Sequence, residues 1–164
     1  MNRLSPLLKG VITAALMLGF TLFLHYGNIP PSSNLIYVLY ALYGGGIIWT
    51  LLSYSRAEAY TGKFGDLFGQ GFRCFIIVTL IMVVFTAVFS MMHPEFAEKD
   101  AELYRQFLIE KKEKTPSEIE DLVAASKKHY TTGLIYSSVF GYLLLGSLFT
   151  AAGAGGLMLM RRHT

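Results

Sequence analysis

Residues Phe75 to Met92, FIIVTLIMVVFTAVFSMM, form an 18-residue run without a charge, closed by Arg73 on one side and by His93-Pro94-Glu95 on the other. As an α-helix such a run rises about 27 Å, close to the roughly 30 Å hydrocarbon core of a bilayer. A soluble domain would spread its charges along every element. Here long charge-free stretches alternate with one charged block, the pattern of a multi-span membrane protein.

Composition agrees. Of 164 residues, 53% are hydrophobic and 15% charged. The net charge of +3 averages over opposite ends, so it is not read as affinity for nucleic acid. A single cysteine, Cys74, excludes an internal disulfide and a cysteine-rich metal site. Arg3, Lys9 and the apolar stretch Val11 to Leu24 have the outline of a signal peptide. The following HYGNIPPSSN lacks a small-x-small cleavage pattern, and an uncleaved first span is expected.

Four spans are predicted, at about 6–26, 34–54, 72–92 and 131–160. Pro6 suits the first turn of span one, where its missing N–H has no partner to lose. The uncharged, turn-rich Gly27 to Ser33 makes spans one and two an antiparallel hairpin. In span two, Tyr37, Tyr40 and Tyr43 recur along one drifting face, and Gly44-Gly45-Gly46 follow in mid-membrane. These glycines either admit a neighbouring helix closely or loosen their own, and close packing is preferred. Phe64, Phe68 and Phe72 share one helical face before span three. That segment lies in the interface or extends the span.

A charged block at about 94–129 separates spans three and four. It divides at Thr115-Pro116-Ser117-Glu118, a capping box with proline in the first helical position. One helix, about 94–113, carries Phe96, Leu103 and Phe107; a second, about 116–128, carries Ile119, Leu122 and Val123. Both are amphipathic and so pack on each other or on the membrane face, and a solvated helical hairpin is expected. Span four ends in Ala151-Ala152-Gly153-Ala154-Gly155-Gly156, small residues that favour intimate helix contact, with span two's glycines as the natural partner. The candidate packing residues are therefore Gly44, Gly45, Gly46, Gly153, Gly155 and Gly156. The fold class is an all-α integral membrane protein, four transmembrane helices with an extramembrane two-helix hairpin between helices three and four.

Basic residues near span ends set the threading. Arg3 and Lys9, then Arg56, Lys63 and Arg73, then Arg161 and Arg162 fall on one side of a four-span chain. The charged block holds seven basic and nine acidic residues, mostly far from the membrane. Both termini are therefore expected in the cytoplasm, with the helical block outside.

The order of these features resembles the family catalogued as domain of unknown function 4199, small membrane proteins found mainly in Bacteroidota. The matching stretches are Phe64-Gly65 through Gly71-Phe72, His93-Pro94-Glu95-Phe96 and Thr115-Pro116-Ser117-Glu118-Ile119-Glu120. The resemblance implies a four-helix protein of a bacterial inner membrane; with the threading set by the basic residues, the insert is then expected in the periplasm. It supplies no activity and no catalytic residues. Members encoded beside polyprenyl-phosphate glycosyltransferases hint at such an enzyme as partner.

Chemistry is sparse. His25, His93 and His129 are each expected at the outer end of a span, with Glu95 beside one of them. Together they are a weak candidate for zinc. No ionisable residue falls within Val11–Leu24, Leu35–Tyr54, Phe75–Met92 or Tyr130–Met160, and no internal repeat is visible, which disfavours transport by a single copy. Hydroxyls such as Thr50, Thr79, Ser90 and Thr150 could line a polar seam, but they more often bond back to helix carbonyls. There is no phosphate-binding loop, serine elbow or paired-metal motif. Neither a catalytic residue nor a cofactor is expected. The preferred reading is a scaffold or accessory subunit that binds another membrane protein or lipid. A small oligomeric channel or transporter, or a membrane enzyme or metal-binding protein, stand as alternatives.

Overall fold

The computed structural model describes residues 4–29 and 34–162, and the tail of the first link, Pro30 to Ser33, lies outside them. The described residues form five helices: α1 (Pro6–Tyr26), α2 (Ile36–Ser55), α3 (Phe64–Met92), α4 (Pro94–Lys111) and α5 (Pro116–Arg162). No strand occurs among them. Four are long and apolar enough to cross a membrane: α1, α2, α3 and α5.

Each boundary has a local cause. Ser5 caps α1 by accepting the Leu8 N–H at 3.2 Å, and Pro6 follows as its first residue. The helix stops at Gly27, and Asn28 takes a left-handed φ of 51°. Before α3 the turn comes at Gly62, whose φ of +82° a side chain would strain. The Thr61 hydroxyl donates to Asp66 in the first turn of that helix. Lys112, at φ 52°, ends α4.

The Phe64–Phe72 stretch is the beginning of α3, the second of the two readings its sequence allows. One element differs from expectation: the second helix of the charged block and span four are one 47-residue helix, α5. Nothing between Lys128 and Thr132 breaks a helix, and Gly133 alone costs only about 1 kcal/mol against alanine.

The start of α5 is the expected capping box. Thr115 donates its N–H to Glu118 Oε2 at 2.8 Å and its hydroxyl to the same oxygen at 2.9 Å, and the Glu118 N–H returns to Thr115 Oγ1 at 3.4 Å. These donors favour the carboxylate and hold the Glu118 pKa below its ordinary value. A depressed pKa contributes stability above the unfolded value, and that contribution is lost as pH falls through the folded one. Acidification below about pH 4, the ordinary glutamate range, will therefore fray the first turn of α5. Amide protection factors at residues 115 and 117–119, taken against the intrinsic exchange rate at each pH, should fall with acid in the wild type and already be low, and less pH-dependent, in Glu118→Ala.

The chain divides into two compact units, Met1–Met82 with Phe140–Thr164, and Val83–Val139. The core of the first holds Ala14 and Met17 of α1, Tyr43, Ile47 and Leu51 of α2, Leu67, Phe75, Val78 and Met82 of α3, and Ala154 of α5. Steps of three and four residues keep each set on one helical face. The Tyr43, Tyr40 and Tyr37 row drifts as expected: Tyr43 is fully buried, while the other two are exposed.

In the second unit, Ala101 and Leu108 of α4 pack on Ile119 and Val123 of α5. Arg105 donates to both Glu120 oxygens, at 2.6 and 2.8 Å, and Lys127 donates to Glu98 at 2.9 Å. Pairing 98 with 127 and 105 with 120 makes the two segments antiparallel. Leu103 and Phe107, on the apolar side read for this helix, do not join this core and remain 57% and 49% exposed. The Lys111 ammonium lies 4.8 Å from the Phe107 ring centre.

Candidate functional site

The first unit is most polar where α1 begins, α2 ends and α3 starts. Lys9, the fourth residue of α1, is only 5% exposed. Its Nζ stands 5.4 Å from the ring centre of Trp49, within cation–π range. It lines a cavity of about 200 Å³ with Leu4, Ser5, Pro6, Thr50, Ser53, Tyr54, Ala57 and Gln70. Four hydroxyls, one carboxamide and one ammonium therefore face a common space. No Asp or Glu is among the described lining residues.

Deeper in, three helices meet through small residues. A Cβ on Gly10 would come within 2.7 Å of the Cys74 carbonyl oxygen, so α1 and α3 meet backbone to backbone. A Cβ on Gly46 would fall 2.9 Å from Thr13 Cβ, joining α2 to α1. The Cys74 Sγ points at the Gly46 carbonyl, 3.8 Å away. Thr13 and Thr50 bond back to Lys9 O and Gly46 O at 2.8 and 2.9 Å, as the hydroxyls of spans usually do. Thr79 and Ser90 bond back to Phe75 O and Ala87 O in the same manner. Thr150 Oγ1 is buried without a hydrogen-bond partner.

Of the six glycines expected to pack, Gly44 faces the Phe149 ring at 3.2 Å, Gly46 faces Thr13, and Gly153 faces Leu51 Cδ1 at 2.7 Å. Gly45, Gly155 and Gly156 meet nothing within 4 Å of a built Cβ. Span four's small residues therefore approach α2 through Leu51 and Phe149, and not glycine against glycine. Gly10, Gly71 and Gly146, which lie outside those six, are as tightly enclosed as any. Their ideal Cβ atoms would lie 2.7 Å from Cys74 O, 2.5 Å from Thr150 Cγ2 and 2.7 Å from the Phe75 ring.

The histidines do not assemble a metal site. His93 Nδ1 lies 2.6 Å from Glu95 Oε1, and its ring stacks near Phe89 and Phe96 at 4.5 and 5.6 Å. His25 sits in the last turn of α1, edge-on to Tyr26, and His129 is exposed on α5. Among the described residues no three His, Cys, Asp or Glu side chains gather where a metal ion could be held.

In the second unit, the open end of the α4–α5 pair forms a groove of about 400 Å³ lined by Arg105, Ile109, Lys112, Lys114, Pro116, Ile119 and Glu120. Its floor is apolar. Three cations and one carboxylate surround it.

Four long apolar helices with polar side chains gathered at their ends define a multi-pass helical membrane protein. The family model described as "Protein of unknown function (DUF4199)" matches residues 7–158, and the chain belongs to that family. Neither a curated protein nor a solved structure matches it.

Proposed function

We propose that this protein is an accessory subunit of a membrane assembly, which receives an acidic, apolar-tipped segment of another membrane protein in the groove between α4 and α5. The spans anchor it in a bacterial inner membrane with both termini cytoplasmic. The α4–α5 pair then stands on the periplasmic side, as the seven basic residues flanking the other span ends favour. The observation that carries this reading is the groove itself. Concave, mostly apolar sites with a few placed polar groups are where proteins bind partners. Ile109 is 55% exposed at its floor, an expensive residue to leave in water. Arg105, Lys112 and Lys114 outnumber Glu120 around it, which selects a partner bearing carboxylates.

A photo-crosslinker placed at Ile109, with another at the exposed Ala125 on α5, tests this in native membranes. The expected adduct forms at Ile109 alone, maps to an acidic segment of a second membrane protein, and falls at least tenfold in Lys112→Glu/Lys114→Glu. Equal labelling at both positions, adducts indifferent to the charge reversal, or adducts only to another copy of this chain would overturn it.

A further inference from the structure

We infer that the outer face of α4 is where two copies of this chain pair, side by side and parallel, about a two-fold axis along the membrane normal. The helix has two apolar sides. Ala101 and Leu108 pack on α5, whereas Leu103 and Phe107, four residues apart on another face, stay exposed. A leucine and a phenylalanine in adjoining turns make an apolar ridge that a second surface would favourably cover. The ridge is separate from the groove, since Ile109 lies about 140° round the helix from it at 100° per residue.

The charges beside the ridge say what covers it. Helical spacing sets Lys99 and Glu110 along one flank and Asp100 and Lys111 along the other, all four exposed. From the His93 end upward, one flank reads lysine then glutamate, and the other aspartate then lysine. A two-fold axis parallel to the helix lays the first flank of one copy against the second flank of the other. Lys99 then meets Asp100 of the second copy, and Glu110 meets Lys111 of the second copy, while Leu103 and Phe107 close on their own counterparts. The surface is therefore complementary to itself in charge. The spans fix the orientation: α5 runs unbroken from its contact with α4 into the fourth span, and copies inserted the same way cannot pair head to tail. In a single copy the Lys111 ammonium rests 4.8 Å from the Phe107 ring centre. Its flexible stem lets it turn to a carboxylate when the ridge is covered.

The test is disulfide crosslinking of the full chain in native membranes under mild oxidation. Leu103→Cys is compared with Ala125→Cys, an exposed position on α5, and the wild type is the blank because its one cysteine, Cys74, is fully buried. Leu103→Cys should give a linked dimer of twice the chain mass, and the other two almost none. Each exposed ion pair is weak, but the symmetry repeats it, so Lys99→Asp in the Leu103→Cys background should lower the dimer yield roughly fivefold. The exchange Lys99→Asp/Asp100→Lys keeps the flanks complementary and should restore the yield to within about twofold of the parent. If Leu103→Cys does not accumulate, Phe107→Cys takes its place with the same expectations. Equal dimer at Ala125→Cys, a yield indifferent to Lys99→Asp, an exchange no better than the single reversal, or an adduct to a different protein would overturn the pairing. None of these outcomes bears on the crosslinking at Ile109.

Discussion

Gly10→Ala and Gly46→Ala will each lower the unfolding temperature of the detergent-solubilised protein, whereas Gly45→Ala will leave it unchanged or raise it. The three substitutions are chemically identical and two of the sites are neighbours, so the contrast isolates packing. At Gly45 nothing lies within 4 Å of the new methyl. Only helix propensity acts there, and alanine gains up to about 1 kcal/mol over glycine. At Gly10 the methyl would sit 2.7 Å from the Cys74 carbonyl oxygen and 3.1 Å from Ile77 Cβ. A backbone carbonyl cannot rotate aside, so α1 and α3 must move apart. At Gly46 the obstacle is Thr13, a β-branched side chain whose hydroxyl is held by Lys9 O. Overpacking of this sort costs roughly 1–3 kcal/mol, which outweighs the propensity gain. Helices in lipid associate largely through close packing, since apolar burial offers them little. Equal shifts for Gly10→Ala and Gly45→Ala would show that the three helices do not meet as described.

That contrast also measures what could be read in the residues. Span positions were legible, because a charge-free run of bilayer length admits few alternatives, and the Pro6 and Thr115-to-Glu118 helix starts followed from their capping chemistry. The joined α5 was not. Lys127, Lys128 and His129 mark a change of environment that suggests a change of helix, yet a charge does not break backbone hydrogen bonding. Composition likewise identified Gly44, Gly45 and Gly46 together, since all three are small. Which one faces a neighbour depends on the rotation of α2 about its axis, and a nearly uniformly apolar helix carries no polar face to fix that rotation. From sequence Lys9 is a basic residue flanking the first apolar run and a threading charge near the membrane edge. Its position four residues before Thr13 and next to Gly10 marks a packed face, but only the neighbouring helices reveal that α2 and α3 close over it. The two leucines before it and Gly10-Val11 after it are the local signal that this lysine lies inside a span's first turns.

Tyr43→Ala is expected to be the most damaging single change in the first unit, and Tyr43→Phe one of the mildest. Tyr43 has no exposed surface, and its ring meets Tyr142 and Phe149 edge-on at 5.6 and 6.3 Å. Its hydroxyl donates to the Tyr142 carbonyl at 2.9 Å, tying α2 to α5 across 99 residues of sequence. Truncation to alanine removes the ring from a place where four helices supply the surrounding atoms, and aromatic-to-alanine cavities cost about 3–5 kcal/mol. Part of that figure is the aqueous transfer of the ring, which a bilayer reduces, but the lost dispersion contacts remain. Removal of the hydroxyl alone forfeits one interhelical hydrogen bond, worth about 0.6 kcal/mol on average within a membrane and about 1.7 at most. Thermal unfolding in a mild detergent should therefore separate the two variants widely, with Tyr43→Ala aggregating or unfolding far earlier. A phenylalanine variant as impaired as the alanine one would mean that the hydroxyl, not the ring, is what this position supplies. The α2–α5 contact would then be a polar joint, and the fully buried Thr150 hydroxyl nearby on α5 would become the next group to remove.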